Sequence, residues 1–194
     1  MVQLGLTGGI GSGKTLVCSV LEKFGVPVYY ADTEARRLLN SDEELHRNVV
    51  DVFGREVYNG NSLNREVLAD KVFGNPVMLA KLNALVHPAV RKDYSHWVEL
   101  QKSAPYVVEE AAILFESGAS KFLDTTVLIY APEMVRILRV MQRDGVDEES
   151  VRRRMKHQMD EEEKKKLADQ IIYNDEKEML LPQIVELHNR ILKK

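Results

Sequence analysis

Residues 8 to 15, Gly8-Gly9-Ile10-Gly11-Ser12-Gly13-Lys14-Thr15, satisfy the spacing G-x-x-x-x-G-K-[ST]. That spacing has a mechanical meaning. Glycines admit positive φ angles, so successive backbone N–H groups can turn inward around phosphate oxygens. A helix that starts at the end of the motif points its positive N-terminus at the same anion. Lys14 then reaches the β- and γ-phosphates, and the Thr15 hydroxyl can ligate Mg²⁺. An accidental match in a chain of 194 residues has odds of roughly one in a hundred at ordinary glycine content. Here the motif also lies between an apolar strand pattern and a helical one. Gly8, Gly9, Gly11, Ser12, Gly13, Lys14, Thr15 and Leu16 are therefore the expected contacts of a nucleoside triphosphate.

A loop of this kind serves kinases, GTPase switches and motors alike. No guanine-reading N-K-x-D segment accompanies it, since Asn174-Asp175 and Asn83-Ala84 lack both the lysine and the spacing. The small chain favours a small-molecule kinase, which needs an acceptor side. Asp32 follows the second strand pattern, where ligands of open α/β sheets gather. Its carboxylate could take the proton of an attacking hydroxyl, and it is also placed to cap the next helix. Arg36, four residues on, shares its helix face and could hold an anionic group of the acceptor. Glu110 ends a strand pattern and is the candidate metal carboxylate with Thr15. Glu109 points to the opposite face, so only one of the two can serve.

Positive charge on the transferring phosphoryl group has a candidate source in Arg136, Arg139 and Arg143, spaced i, i+3, i+7 on one helix face. Between 136 and 156 there are seven basic and four acidic residues, in a chain of net charge -3. A helical lid carrying such arginines would supply charge and exclude water. Glu161-Glu162-Glu163-Lys164-Lys165-Lys166 reads instead as a solvated helix face, with Glu four residues before Lys at two points. The five histidines show no metal-ligand spacing.

The elements that must position these groups alternate. Apolar runs at 2–7, 26–30, 106–108, 125–130 and 171–173 read as strands, and helical patterns follow them. That alternation predicts an α/β fold with a parallel five-stranded sheet flanked by helices. One domain is expected, with a core of about 1–32, 104–132 and 168–194. Helical excursions at about 33–103 and 133–167 interrupt it. Asn64 and Asn75 read as helix caps, and Pro88 divides the helix around it or kinks it. The single cysteine, Cys18, excludes an intrachain disulfide and reads as a buried thiol. The absence of a signal-peptide pattern or a long apolar stretch predicts a soluble, cytoplasmic protein. Neither composition nor charge points to nucleic acid or a membrane as partner.

Taken in order, the motifs resemble the dephospho-coenzyme A kinase family over nearly the whole chain. The stretch Gly5 to Thr15 resembles that family's start. Ala31-Asp32 with Ala35-Arg36 resembles its D-A-D-x-x-A-R, with Tyr30 in place of the first aspartate. Asn83 to Pro88 is similar to L-N-x-I-x-H-P, and Ile113 to Glu116 to P-L-L-F-E with Ala112 for the proline. Arg139 to Asp144 and Arg154 to Gln158 resemble the R-x-x-x-R-D and R-x-x-x-Q of its lid. Ala168 to Asn174 resembles A-D-x-x-I-x-N near the adenine.

The resemblance implies a P-loop kinase fold that uses ATP and Mg²⁺ to phosphorylate the ribose 3′-hydroxyl of dephospho-coenzyme A. It implies Asp32 as base, Lys14, Arg139 and Arg143 as catalytic groups, and Arg154 and Asn174 as further ATP contacts. The 33–103 helices become the acceptor-binding subdomain, with Asp32, Arg36, Arg65 and His87 assigned to the acceptor. A monomer or small homo-oligomer with a small-molecule substrate is expected. Two alternatives stay open: a kinase of another small alcohol or nucleotide, and a non-catalytic nucleotide-switched binding module.

Overall fold

The apolar runs pair into one parallel sheet because each is buried on both faces and bounded by helices. The computed structural model describes residues 1–193. In chain order the elements are β1 (Val2–Thr7), α1 (Lys14–Lys23), β2 (Val28–Tyr30), α2 (Ala31–Ser41), α3 (Glu43–Phe53), β3 (Tyr58–Asn59), β4 (Ser62–Leu63), α4 (Arg65–Val72), α5 (Pro76–Leu100), β5 (Tyr106–Glu110), β6 (Thr125–Tyr130), α6 (Glu133–Asp144), α7 (Glu148–Met155), α8 (Glu161–Leu167), β7 (Gln170–Tyr173) and α9 (Leu180–Ile191). The main sheet has the order β2-β5-β1-β6-β7, every pairing parallel. The five-stranded parallel sheet expected from the sequence is present.

The chain divides into two compact units, Met1–Tyr30 with Gln101–Lys194, and Ala31–Leu100. In the first, alternate residues Leu4, Leu6, Tyr106, Val108, Val127, Ile129 and Ile172 line one face of the sheet. Val17, Cys18 and Leu21 of α1 and Ile184, Leu187 and Ile191 of α9 pack with them. The spacing of those helix residues, i, i+1, i+4 on α1 and i, i+3, i+7 on α9, is what turns a single stripe of each helix to the sheet. Cys18 is fully buried, and burial pushes its thiol well above the ordinary range.

The second unit is helical around Leu38, Leu39, Leu45, Val49, Phe53, Val57, Tyr58, Leu68 and Val86. Asn64 accepts from the Val67 N–H, and Asn75 from that of Met78, so both expected caps form. Pro88 neither splits nor ends its helix, since α5 runs through it from Pro76 to Leu100. The short β3–β4 hairpin around Gly60 was not legible, because two-residue strands carry no periodicity.

Candidate active site

The carboxyl edge of a parallel sheet collects loops, and the first loop out of central strand β1 is the glycine-rich one. Gly13 occupies the position before α1 with φ +97°, and a Cβ there would overlap the Asn174 amide nitrogen. Only glycine serves at that point. The same Asn174 Nδ2 donates to the Ser12 carbonyl at 2.8 Å, tying the end of β7 to the loop. Lys14 Nζ folds back over the loop to donate to the Gly8 carbonyl at 2.8 Å and lies 3.8 Å from Glu110 Oε1.

Glu110 reaches this position through strand register: its Cα partners are Leu6 of β1 and Tyr30 of β2. Glu109 and Glu110 are both buried, and the pairing to Lys14 falls to Glu110. The Oγ of Ser12 is buried with no hydrogen-bond partner among the described residues, so a hydroxyl is available at the loop's centre. Thr15 and Leu16 are exposed in the first turn of α1. A hydroxyl at Thr15 and a buried carboxylate at Glu110 are hard oxygen donors. Mg²⁺ typically takes one or two protein ligands and completes its shell with waters and phosphates. The residues fit that ion, and no cluster of three or more acidic, His or Cys side chains competes among the described residues.

Tyr130 and Tyr173, paired in register at the ends of β6 and β7, meet edge-to-face at 5.8 Å. Lys165 Nζ stands 3.5 Å over the Tyr130 ring. Arg139, Arg143 and Arg154 of the helical excursion are held by acids. Arg139 Nη2 reaches Glu176 at 3.3 Å. Arg143 and Arg154 share Asp144, each at 2.7 Å, and these cations, Arg143 foremost, lower its carboxyl to about 2. These three arginines thus fall into two sets: Arg143 and Arg154 come together on one carboxylate, while Arg139 is tied to the segment after β7.

In the helical unit, Asp32 and Arg36 are exposed one turn apart on α2. The helix begins at Ala31, directly after β2, so Asp32 lies within its first turn and does not cap it. Arg65 is the exposed first residue of α4. His87 is half-buried on α5 beside a cleft of about 550 Å³ that Pro88, Arg91, Lys92 and Ser95 also line. Burial first, and then the Arg91 charge, lower its pKa below the ordinary histidine value.

The model of the dephospho-CoA kinase family matches residues 2–179. The chain belongs to that family. A dephospho-CoA kinase of Salinibacter ruber is 43% identical over 178 residues, covering 90% of this chain and 89% of that one. Among solved structures, a Thermus thermophilus protein superposes with a TM-score of 0.81 at 36% identity, over 99% of this chain and 96% of its own. Dephospho-CoA kinase from Campylobacter jejuni superposes with a TM-score of 0.71 at 26% identity, over 98% and 97%. The fold is that of the P-loop kinases. The chain is an ATP-dependent kinase that acts on an alcohol group of a small molecule, dephospho-coenzyme A. No helix among the described residues is long and apolar enough to cross a membrane.

The charge run 161–166 overturns its reading as a solvated face. Glu161 and Lys164 point inward, three residues apart, and Lys164 is fully buried between Glu161 Oε1, Glu116 Oε1 and the Ala112 carbonyl, each at 3.5 Å. The ion pairs of this run are all i, i+3, not i, i+4. Arg136, grouped by spacing with Arg139 and Arg143, is likewise buried. Nothing in a run of alternating charge blocks marks which members face inward on a seven-residue helix.

Proposed function

We propose that the γ-phosphoryl of ATP passes to the ribose 3′-hydroxyl of dephospho-coenzyme A, in the last step of coenzyme A synthesis, with the glycine-rich loop holding the phosphates. The observation that carries this reading is Lys14 Nζ, poised between the Gly8 carbonyl and Glu110. A lysine so placed can exchange a neutral carbonyl for phosphate oxygens without moving its backbone. The N–H groups from Gly11 to Thr15 orient the β-phosphate, and Ser12 Oγ is free to donate. Asn174 fixes the loop's last turn. Thr15, with Glu110 behind it, would hold Mg²⁺, which would supply charge neutralisation of the phosphates when bound.

Asp32 accepts the proton of the 3′-hydroxyl, and Arg36, Arg65 and His87 hold the acceptor within the helical unit at about 33–103. Arg139, Arg143 and Arg154 leave their acidic partners to cover the phosphates, which makes about 133–167 the lid. Phosphoryl transfer has a loose transition state, so positioning and charge outweigh base strength. The protein works in the cytoplasm, as a monomer or small homo-oligomer, without nucleic-acid or membrane partners.

The test is a coupled ADP-release assay with dephospho-coenzyme A against a panel of nucleoside monophosphates and other small alcohols. ADP formed only with dephospho-coenzyme A supports the reading. Release with another acceptor, or ATP binding without ADP, points to the kinase or binding-module alternatives. Asp32→Asn should lower turnover by about 10²- to 10⁴-fold while leaving ATP affinity in place. Unchanged turnover removes Asp32 as the base.

A further inference from the structure

Arg136 lies on α6 with Arg139 and Arg143, two of the arginines assigned to the phosphates, yet its side chain takes another direction. It is 7% exposed, and its Nε donates to the Ala131 carbonyl at 3.1 Å, which fixes the guanidinium beside the start of the helix. From there the fork lies against the glycine-rich loop. A Cβ at Gly9 would overlap Arg136 Nη1 and would come within 2.8 Å of Glu161 Oε1. The Arg136 carbonyl carbon and Cα would each be 3.0 Å from a Cβ at Gly11. Two oppositely charged, buried side chains therefore meet over Gly9, from α6 and from α8.

Glu161 has no hydrogen-bond partner for either carboxylate oxygen among the described residues, and it is ion-paired with Lys164. A buried carboxylate left in that state is expensive unless nearby cations hold it. The guanidinium on Gly9 is the second cation within reach. One residue on, the Ile10 N–H donates to Gln158 Oε1 at 2.9 Å. Gly9 and Ile10 are thus enclosed from outside by three side chains, none of which belongs to the loop: Arg136 and Glu161 lie against Gly9, and Gln158 is hydrogen-bonded to Ile10.

We propose that Arg136, Glu161 and Gln158 form a brace that holds Gly9 and Ile10 in the phosphate-binding shape before ATP arrives. They are positioning residues, since all three act through the loop backbone. A loop of glycines pays conformational entropy when it closes on a ligand, and a brace that orders it beforehand converts directly into affinity for the phosphates. The proposal rests on the reading that residues 8–15 hold the triphosphate. It adds that affinity for that triphosphate is set from α6 and α8.

Calorimetric titration of Mg-ATP and of adenosine into wild type, Arg136→Gln, Arg136→Lys, Gln158→Leu and the double variant R136Q/E161Q tests it. The double variant removes both buried charges together, so a folded protein is available even if Arg136→Gln alone fails to fold. Gln158→Leu keeps both charges. The expected result is a loss of ATP affinity of about tenfold in Gln158→Leu and in R136Q/E161Q, with adenosine affinity within about twofold of wild type. Arg136→Lys should recover part of the loss, and KM for ATP should rise by more than kcat falls. ATP affinity within twofold of wild type in both Gln158→Leu and R136Q/E161Q overturns the brace, and so does an equal loss for ATP and adenosine. Wild type that binds no ATP would instead overturn the reading of the loop itself.

Discussion

Replacing Lys164 by methionine keeps the volume and removes a charge from the most enclosed ionic cluster in the sheet-bearing unit. Lys164 is fully buried, and its Nζ lies 3.5 Å from both Glu116 and Glu161. At that separation and an effective dielectric near 20, each pair gains about 5 kcal/mol before desolvation is charged against it. Desolvating a lysine and two carboxylates cancels much of this, so the intact cluster contributes little net stability. The asymmetry appears when one member goes. Glu161, whose side chain is 8% exposed, then keeps its charge and loses the cation it is ion-paired with. One-sided deletions of this kind cost about 3–5 kcal/mol. For a chain of this size each kcal/mol moves the thermal midpoint by about 2–4 °C, so Lys164→Met should lower it by about 10 °C. Thermal and urea unfolding followed by far-ultraviolet circular dichroism reads the change, with an unaltered urea slope marking stability as its origin. E161Q/K164M, which removes the stranded charge, should recover a large part of the loss. A loss below about 1 kcal/mol in Lys164→Met would refute the reasoning, as would a double variant no better than the single.

Three further outcomes follow from the same geometry. Gly13→Ala places a Cβ on the Asn174 amide at a φ of +97°, so it should abolish measurable ATP binding while far-ultraviolet dichroism stays near native. His87 has a folded-state pKa below its unfolded value of about 6.5, so the unfolded chain binds more protons in that window and stability rises with pH up to about 7. His87→Gln should flatten that slope in unfolding curves taken between pH 5 and 7.5. Asp144, held at about 2 by Arg143 and then Arg154, contributes stability that is present above the unfolded value of about 3.9 and is lost as pH falls through about 2. Carboxyl titration by NMR should show that midpoint, and Arg143→Gln should return it toward the ordinary aspartate range.

What could be read from residue order follows the range of the interactions involved. The glycine loop, the five parallel strands and the caps at Asn64 and Asn75 depend on contacts within a few residues, and periodicity and turn chemistry report those directly. The place of Glu110 beside the glycine loop was legible because a strand end at the carboxyl edge is a fixed place in a parallel sheet. The burial of Lys164 and Glu161 was not, because their neighbours Glu116, Ala112 and Gly9 lie 48 to 152 residues away. The cap expected at Asp32 falls two positions late for a different reason. Caps are usually read from a turn before the helix, and here β2 passes into α2 without one.

The arrangement of charge explains how a chain of net charge -3 can receive a polyanion. Arg139, Arg143 and Arg154 are each engaged by an acid, yet Glu176 is exposed and the Asp144 pairs involve arginines that are themselves about half exposed. Exposed pairs of this type contribute little to stability and weaken further with salt. Arginine bonds to phosphate oxygens in a site that excludes water are stronger. Exchanging Glu176 and Asp144 for phosphate is therefore downhill in the role proposed for these arginines, and the acids keep them ordered and soluble until then. Lys14 follows the same logic at the loop, with Glu110 as its resting partner. Arg136 does not, because its anchor to Ala131 and its place on Gly9 are buried. That contrast separates cations that can be recruited by the ligand from one that shapes the loop in advance.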